Sequence, residues 1–387
     1  MTAKASIADV EVRGKRVLVR EDLNVPLKDG AITDDTRIQA ALPTLRDLSG
    51  RGARVIVASH LGRPKGPDPA LSLRPVAERL GSRFAADCVG TAAEEAAGAL
   101  RDGDMLLLEN VRFHPEEEAD DPAFAKALAS LADMYVNDAF AASHRAHASV
   151  VGVADYLPAY AGLLMESELQ ALHRALDDPR RPLVAIVGGA KVSTKAGVLR
   201  HLLGKVDALL IGGAMANTFF RAAGLGTGAG LVEDDALEEA GAVTELAGDK
   251  LVLPVDGVLA QVMAAGQETR VAPVDAVPDD WMMLDVGPDT IDLFRERLEG
   301  AGTVVWNGPV GVFEIPEFAA GTRALGEAVA ASGAYTLVGG GDTAAAVEKL
   351  GLSGRFSHVS TGGGATLEYM EGKELPGVAV LKDAENQ

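Results

Sequence analysis

The sequence predicts an α/β protein with two doubly wound parallel-sheet domains joined by a helix. Short apolar runs of four to six residues recur along the chain, and most are followed by turn residues and a helical pattern. Runs without alternation of apolar and polar residues are typical of strands covered on both faces. A length of 387 residues suits two open sheets better than one eight-stranded barrel, which takes about 250 residues.

The candidate strands are rich in Val, Leu and Ile. In the first half they are Arg16–Arg20, Ala53–Ala58, Asp104–Leu108 and Met134–Asn137. In the second half they are Leu183–Val187, Asp207–Ile211, Lys250–Pro254, Thr303–Trp306, Ala334–Val338 and Ser357–Ser360. The candidate helices between them are Asp34–Leu48, Ser72–Leu80, Ser193–Leu203, Asp234–Leu246, Phe318–Ala331 and Thr343–Leu350. This alternation of strand and helix indicates parallel sheets.

A helical segment marks the predicted domain boundary. Met165–Leu176 has a helical pattern that ends at Asp177-Asp178-Pro179. We therefore predict an N-terminal domain over residues 1–170 and a C-terminal domain over residues 171–372. In open parallel sheets of this kind, ligands bind past the carboxyl ends of the strands.

Composition excludes several classes of protein. Apolar residues make up 48% of the chain, which is enough for sizeable cores. The net charge of -20 disfavours binding of nucleic acid or of an anionic membrane through the general surface. A single cysteine, Cys88, excludes an intrachain disulfide and a cysteine-rich zinc module. With no apolar segment at the start of the sequence, we expect a cytoplasmic protein.

Basic residues follow each of the four candidate strands of the first half. They are Arg37, His60 with Arg63, Arg112, and Arg145. The carboxyl ends of parallel strands meet at one edge of a sheet, so these side chains are expected to lie close together. The planar guanidinium group binds carboxylate and phosphate oxygens in pairs and stays charged. In a strongly acidic protein, such a cluster predicts a pocket for a small, multiply charged anion.

Other chemistry has weaker support in this half. His144 and His147 are three residues apart, but no third ligand at metal spacing completes a site. Ser143 precedes His144 without the surroundings of a nucleophile elbow. Cys88 is most simply a small buried residue.

Glycine-rich turns follow the candidate strands of the second half. They are Gly188-Gly189, Gly212-Gly213, Gly339-Gly340-Gly341 and Gly362-Gly363-Gly364. Glycines let backbone N–H groups approach phosphate oxygens, and a helix N-terminus adds a favourable dipole. Lys191 and Lys195 are four residues apart, so we expect both on one face at the start of a helix. The pattern favours a nucleotide phosphate site.

The residues around these glycine turns indicate which type of nucleotide-binding site is present. The P-loop pattern is absent. Gly339–Ala344 formally fits the dinucleotide fingerprint, but Val359–Gly364 lacks the acidic residue that would bind the ribose. Asp342, inside the glycine turn, is suited to a Mg²⁺ ion that bridges phosphates. An NAD-linked dehydrogenase is therefore a minor alternative, and a nucleotide and anion sensor without turnover is another.

Nine segments together resemble phosphoglycerate kinases. They are VLVREDLNVPL, RIQAALPTL, SHLGRPKG, LLENVRFHPEE, HRAHAS, GGAKVSTK, WNGPVGVFE, VGGGDTAAA and STGGGATLE, in the family's order from residue 17 to residue 368. The resemblance implies a phosphoglycerate-binding N-terminal domain and a nucleotide-binding C-terminal domain joined by a helical hinge. It also implies that the tail, residues 373–387, packs on the N-terminal domain. Glu21 and Leu23 stand where Val and Phe are common in the family.

The resemblance also assigns residues to the two ligands. The phosphoglycerate site would comprise Asp22, Leu23, Asn24, Arg37, His60, Leu61, Gly62, Arg63, Arg112 and Arg145. The nucleotide site would comprise Lys195, Asn307, Glu314, Gly340, Gly341, Asp342 and Thr343, with Asp342 binding Mg²⁺. The catalytic groups would be Arg37, Lys191, Lys195, Gly363 and Gly364.

The implied reaction is reversible phosphoryl transfer from 1,3-bisphosphoglycerate to ADP, giving 3-phosphoglycerate and ATP. Because the attacking oxygen is already an anion, no general base is needed, and catalysis consists of positioning and charge neutralisation. We expect a monomer that depends on Mg²⁺ and has no nucleic-acid or membrane partner.

Overall fold

A computed structural model describes residues 3–384 of the chain. Its contacts divide the chain into two compact units. The first comprises residues up to Gln170 together with the tail from Glu374, and the second comprises Ala171–Lys373. In residues 3–384, no helix combines the length and the apolar character that crossing a bilayer requires.

The first unit contains a parallel sheet of six strands. Across the sheet, the strands lie in the order Arg83–Phe84, Met105–Leu107, Arg54–Ala58, Arg16–Arg20, Met134–Asn137 and Ala159–Ala161. All five neighbouring pairs are parallel. The strand order reverses beside Arg16–Arg20, which lies between strands that come later in the chain on both sides. A small hairpin of Leu27–Lys28 and Ala31–Ile32 stands apart from this sheet.

Helices accompany this sheet along the chain. They are Thr36–Gly50, Arg74–Leu80, Gly90–Gly98, Pro122–Ala129, Leu163–Leu172 and, in the tail, Pro376–Ala379. The predicted helix Met165–Leu176 begins two residues earlier, at Leu163, and is α-helical as far as Leu172. His173–Asp177 continues it as a π-helix, which is wider than an α-helix.

The second unit contains another parallel sheet of six strands. Their order is Leu251–Val252, Ala208–Ile211, Leu183–Val187, Thr303–Asn307, Tyr335–Gly339 and His358–Val359. The order reverses between Leu183–Val187 and Thr303–Asn307. The helices of this unit are Ala196–Leu203, Met215–Ala222, Leu237–Ala247, Pro288–Leu298, Ala320–Ala331, Gly341–Lys349 and Gly364–Met370. The two helix-bearing parallel sheets confirm the predicted fold class.

The second unit also holds an antiparallel sheet that the sequence did not predict. Asp256–Ala260 is its central strand and pairs with Arg270–Pro273 on one side and Met282–Val286 on the other. The central strand begins with Asp and Gly, which are uncommon in strands, so its composition gives little signal. The predicted strand Lys250–Pro254 shortens to Leu251–Val252, since Pro254 has no N–H to donate.

Each parallel sheet lies in its own hydrophobic core. Val17, Val19 and Val55 are fully buried in the first unit, and Val184, Val304 and Trp306 are buried in the second. Because strands covered on both faces can expose polar groups only at their ends, the ends of these strands are where ligand-binding side chains can lie.

The tail returns to the first unit. The Asn137 side chain donates a hydrogen bond to the Gly377 carbonyl oxygen at 2.8 Å, and Gly377 N–H donates to the Ser143 carbonyl oxygen at 2.8 Å. Leu375, Val378 and Leu381 are buried. The predicted tail also includes residues 385–387, which lie outside the described residues.

We predict that Asp256→Ala lowers the free energy of unfolding of the second unit by about 2–3 kcal/mol. The buried Asp256 carboxylate accepts hydrogen bonds from Thr290 N–H (2.8 Å), Thr290 hydroxyl (2.6 Å) and Asp289 N–H (3.1 Å) at the start of helix Pro288–Leu298. Its removal leaves the N–H groups of Asp289 and Thr290 without these acceptors, whereas the Thr290 hydroxyl can still donate to the Asp256 carbonyl oxygen at 2.9 Å. Asp289→Ala, an exposed change in the same turn, should cost less than about 1 kcal/mol. Equal urea midpoints for the two variants would contradict the prediction.

Candidate active site

The first half of the site is built where the strand order of the first unit reverses. The strand Arg16–Arg20 has Arg54–Ala58 on one side and Met134–Asn137 on the other. The segments that follow these strands therefore meet at one edge of the sheet. Such a reversal is the usual place for a ligand in an open α/β sheet.

A turn over Asp22–Asn24 is held against the segment that follows Arg54–Ala58. Leu23 N–H donates to the Ser59 hydroxyl at 2.9 Å, and Gly62 N–H donates to the Asn24 side-chain oxygen at 2.8 Å. Leu23 is fully buried and Leu61 is 2% exposed, so both residues support the turn from within the core.

Arg37 lies in the first turn of helix Thr36–Gly50 and forms an ion pair with Asp22. Burial raises the pKa of Asp22, but its interactions with His60, Arg37 and Arg20 outweigh this effect, and the pKa lies below its usual value. Arg37 does not pair with the acidic residues on its own helix start, since Asp34 accepts from Thr36 and Asp35 pairs with Arg79.

His60 is buried beside a second arginine. Arg20 Nη2 lies 3.2 Å from His60 Nδ1. Burial, and then the charge of Arg20, lower the pKa of His60 well below its usual value. A guanidinium can only donate, so Nδ1 of the neutral ring accepts and the proton is on Nε2. His60 is therefore arranged to donate one hydrogen bond to an anion.

Arg112 and Arg145 extend the basic cluster. Arg112 is buried, donates to the Gly62 carbonyl oxygen at 2.8 Å and lies 3.1 Å from a Glu118 carboxylate oxygen. Burial lowers the pKa of Arg112, and repulsion from Arg20 and Arg145 adds to this effect. Cations held this close repel one another, and a bound anion would relieve the repulsion.

The remaining predicted arginine is placed differently. Arg63 is exposed in the loop that begins at Gly62, and Gly62 has a positive φ of 64°. A Cβ at Gly62 would lie 2.9 Å from a Leu71 methyl group, so the loop requires glycine there.

Sequence reasoning missed a buried layer beneath this cluster. Arg20 is 1% exposed and donates through Nε to the Ser149 hydroxyl at 2.7 Å. The Ser149 hydroxyl in turn donates to the fully buried Glu117 at 2.6 Å. The sequence signal for this layer was Arg20 at the end of a strand whose three central residues are apolar. Nothing in the sequence linked Arg20 to Glu117 or Ser149.

Two carboxyl groups also lie buried beneath the Asp22 turn. The carboxyl group of Glu21 faces that of Asp138, and burial followed by the charge of Asp138 raises the pKa of Glu21 well above its usual value. Asp138 accepts a hydrogen bond from Met165 N–H at 3.0 Å. No donor among residues 3–384 reaches either oxygen of Glu21. One proton is therefore required between the two groups, and we place it on Glu21.

The second half of the site is built where the strand order of the second unit reverses. Lys195 Nζ donates to the Asn307 carbonyl oxygen at 3.1 Å and also to its side-chain oxygen. Burial lowers the pKa of Lys195 to about 8, against an opposing attraction from Asp342. Lys195 thus remains largely protonated at neutral pH, in a place where little water offsets its charge.

The two predicted lysines do not share a helix face. Helix Ala196–Leu203 begins one residue after Lys195, so Lys191 precedes it and is exposed in the loop. The prediction of a common face was wrong, because positive φ at Gly189 (111°) and the non-helical segment after it delay the helix. Lys195 occupies the N-cap position, immediately before the helix.

The glycines of this unit fall into two groups. A Cβ at Gly188 would lie 2.2 Å from the Pro309 carbonyl oxygen, and one at Gly213 would lie 2.5 Å from that of Gly189. These glycines serve close packing of backbone. Gly341 and Gly363 have open space within 4 Å of a Cβ position, so their backbone N–H groups at helix starts are accessible to a ligand.

The remaining predicted nucleotide residues lie on three elements. Thr343 is buried, and its hydroxyl accepts from Gly308 N–H at 2.6 Å, which ties helix Gly341–Lys349 to the turn after Asn307. A Cβ at Gly340 would lie 3.1 Å from the Asn307 side chain. Glu314 has an exposed side chain, and its carbonyl oxygen accepts from Lys349 at 2.9 Å. Gly364 is exposed at the start of the last helix of the unit.

Known proteins match nearly the whole length of the chain. A family model described as phosphoglycerate kinase matches residues 7–373. The chain belongs to the phosphoglycerate kinase family. It is 57% identical to the phosphoglycerate kinase of Moorella thermoacetica over 391 aligned residues, covering 98% of this chain and 100% of that one. The phosphoglycerate kinase of Rubrobacter xylanophilus is also 57% identical, with 99% of each chain covered.

A solved structure agrees with the sequence comparisons. The structure of phosphoglycerate kinase from Coxiella burnetii has a TM-score of 0.91 and 46% identity, covering 98% of this chain and 99% of that one. The resemblance expected from the sequence motifs is confirmed. This member of the phosphoglycerate kinase family is accordingly a phosphotransferase with a carboxyl group as acceptor, and neither the dehydrogenase nor the sensor is supported.

The Glu21–Asp138 pair predicts a pH effect on the stability of the first unit. Folding raises the pKa of Glu21, so the proton on Glu21 stabilises the folded state fully at pH values below the unfolded-state pKa, about 4.3. This stabilisation is lost as the pH rises through the folded-state pKa. Glu21→Gln can donate to Asp138 without a bound proton. We expect the variant to lack this loss, so that its stability relative to wild type rises between about pH 5 and pH 8.

Denaturant unfolding at the two pH values tests this expectation. Glu94→Gln, an exposed change on helix Gly90–Gly98, is the control and should follow wild type. If Glu21→Gln and wild type kept the same stability difference at both pH values, the pair would not hold the proton.

Proposed function

We propose that the chain transfers a phosphoryl group reversibly between 1,3-bisphosphoglycerate and ADP, with phosphoglycerate bound by the first unit and nucleotide by the second. The assignment of phosphoglycerate to the first unit is supported by one observation. Arg37, Arg112, Arg145 and neutral His60 cluster at one sheet edge of a protein with net charge -20. Membership of the phosphoglycerate kinase family supplies the identity of the anion.

For the phosphoglycerate we propose two groups of contacts. Asp22 and Asn24, on the turn with the buried Leu23, would bind the hydroxyl and carboxyl region. The basic side chains and the loop of Leu61 and Gly62 would receive the phosphate. The side chains of this second group are those of Arg63, Arg112 and Arg145, which are charged, and of His60, which is neutral. Arginine forks suit a phosphate because each can span two of its oxygens.

For the nucleotide we propose that Lys195 and the helix start at Gly340, Gly341 and Thr343 bind phosphates. Open space at Gly341 and the unpaired N–H groups of a first helical turn support this role. Asn307 would line the site beside Lys195, and the exposed Glu314 carboxylate would accept from ribose hydroxyls.

Asp342 is the residue that would hold Mg²⁺. Its carboxylate is exposed in the first turn of helix Gly341–Lys349 and acts electrostatically on Lys195. A single carboxylate suits Mg²⁺, which takes its other ligands from phosphate oxygens and water. When bound, the ion would neutralise phosphate charge and orient the nucleotide. The donor set therefore fits a Mg-nucleotide.

The reaction is a displacement at phosphorus. An oxygen of the terminal ADP phosphate forms a new P–O bond, and the bond from phosphorus to the acyl oxygen breaks to leave a carboxylate. No proton moves, so the protein contributes positions and charges. We assign to the transferring group the charges of Arg37, Lys191 and Lys195 and the backbone N–H groups of Gly363 and Gly364, whose helix start is open.

We further propose that the chain acts as a monomer in the cytoplasm, without nucleic-acid or membrane partners. A coupled assay that follows ATP formation from 1,3-bisphosphoglycerate and MgADP tests the function directly. Absence of turnover with MgADP, in protein whose fold is intact by circular dichroism, would refute it.

Arg37→Ala is expected to lower kcat at least about 10²-fold, because Arg37 would stabilise charge that develops only in the transition state. The Kd for 3-phosphoglycerate should change less than about tenfold. Arg37→Lys should recover part of the rate, since a point charge cannot span two oxygens. Steady-state kinetics and calorimetry separate the two parameters.

Arg79→Ala provides the matched control, because Arg79 also pairs with an aspartate, Asp35, beside the same helix start. Its kcat should stay within about twofold of wild type. A near-normal kcat for Arg37→Ala would remove Arg37 from the mechanism.

Asp342→Asn is expected to weaken binding of MgADP by at least about tenfold, a loss of about 1.4 kcal/mol. It should leave the Kd for 3-phosphoglycerate unchanged, because the two ligands are assigned to different units. Glu348→Gln, an exposed change on the same helix, should alter neither. Equal losses for both ligands in calorimetry would contradict the assignment of Asp342.

A further inference from the structure

A cluster of three possible metal ligands lies outside the residues assigned to either substrate. Within residues 3–384, the ligand atoms of Asp87, Cys88 and His114 lie within 4.8 Å of one another. His114 Nε2 is 2.8 Å from Asp87 Oδ1, and the same oxygen accepts from Cys88 N–H at 2.7 Å. Two segments distant in sequence thus bring a nitrogen, a sulfur and an oxygen donor together.

The cluster opens onto a cavity of about 590 Å³ in the first unit. Asp87 and His114 are among its lining residues. The charged groups of the lining are three carboxylates, those of Asp68, Asp87 and Glu109, and one guanidinium, that of Arg74. The Arg74 guanidinium stacks on the Phe84 ring at 4.6 Å. The carboxylates therefore outnumber the cations around the cavity, which favours a bound cation.

The donor atoms select the type of cation. Imidazole nitrogen, thiolate sulfur and carboxylate oxygen are the ligands of Zn²⁺, whereas Mg²⁺ and Ca²⁺ take oxygen ligands. Three protein ligands leave a fourth tetrahedral position for water, and here the cavity can supply it. We propose that Asp87, Cys88 and His114 bind one divalent cation of the zinc class, which links two segments of the first unit.

A cation that binds the Cys88 sulfur must displace the thiol proton, because the thiolate is the ligand form of cysteine. The carboxylates that line the cavity beside the thiol attract a cation. The ring of His114 packs on Phe124 with centroids 5.2 Å apart, which limits the directions that Nε2 can take.

The ion would act on structure and take no part in the chemistry. Cys88 follows the edge strand Arg83–Phe84, and His114 directly follows the short helix Val111–Phe113, which carries Arg112. A bond through the metal would hold this helix to the edge of the sheet. The expected effect is a higher unfolding temperature of the first unit.

The test uses the full-length protein freed of metal by chelation and titrated with Zn²⁺ alone. Calorimetry should show one site with a Kd near or below about 1 µM, and Zn²⁺ should raise the unfolding temperature. Co²⁺ in place of Zn²⁺ should give the intense visible bands of a tetrahedral ion and a thiolate-to-cobalt charge-transfer band in the near ultraviolet. The charge-transfer band reports sulfur coordination specifically.

Substitutions of the proposed ligands test whether these residues bind the ion. Cys88→Ser and His114→Gln should each weaken Zn²⁺ binding at least tenfold, and Cys88→Ser should abolish the charge-transfer band. Cys88→Ala repeats the test without a buried hydroxyl, in case Cys88→Ser does not fold. His173→Gln is the control, because His173 lies 3.3 Å from Asp177 and has no cysteine beside it. It should bind Zn²⁺ as wild type does.

Three outcomes would overturn the proposal. They are no Zn²⁺ binding by wild type at the expected affinity, unchanged affinity in folded Cys88 and His114 variants, and a Co²⁺ spectrum without the charge-transfer band.

Discussion

The basic cluster of the first unit, formed by Arg37, His60, Arg112 and Arg145, depends on one buried cation, the guanidinium group of Arg20. A charge removed from water must be satisfied by protein groups, and Arg20 is satisfied by Ser149, the Glu21 carbonyl oxygen and His60. These bonds fix which nitrogen of His60 carries a proton and hold neighbouring loops at one sheet edge. The cations of the basic cluster lie on this buried layer, so the layer helps to fix their positions before any anion binds.

The second unit also contains a cation that is withdrawn from water, but fewer protein groups bind it. Lys195 is withdrawn from water at the reversal of strand order and is held by two oxygens of Asn307. Burial lowers its pKa to about 8. An anion beside this ammonium group would interact with it more strongly than at a water-exposed surface. In both units the sheet supplies the low-dielectric surroundings and the strand ends supply the charge.

The sequence predicted what depends on local pattern. Buried strands such as Leu183–Val187 were placed exactly as the structure has them, and Arg37 and His60 were identified because each follows a strand. Long-range pairing gave no such signal: Glu21 and Asp138 are far apart in the chain, and their contact arises only from strand pairing. Gly188 and Gly341 looked alike in sequence, and only the space around each shows that the first packs against backbone and the second is open. Lys191 and Lys195 were misplaced because a glycine conformation delayed the helix.

The returning tail has a consequence for synthesis of the protein on the ribosome. The second unit is continuous in sequence, whereas the first needs Leu375, Val378 and Leu381 to close its core and Gly377 to pair with Asn137 and Ser143. The ribosome makes these residues after the whole of the second unit. The first unit therefore stays incomplete until the second has been made, so that the second unit can complete its fold before the first.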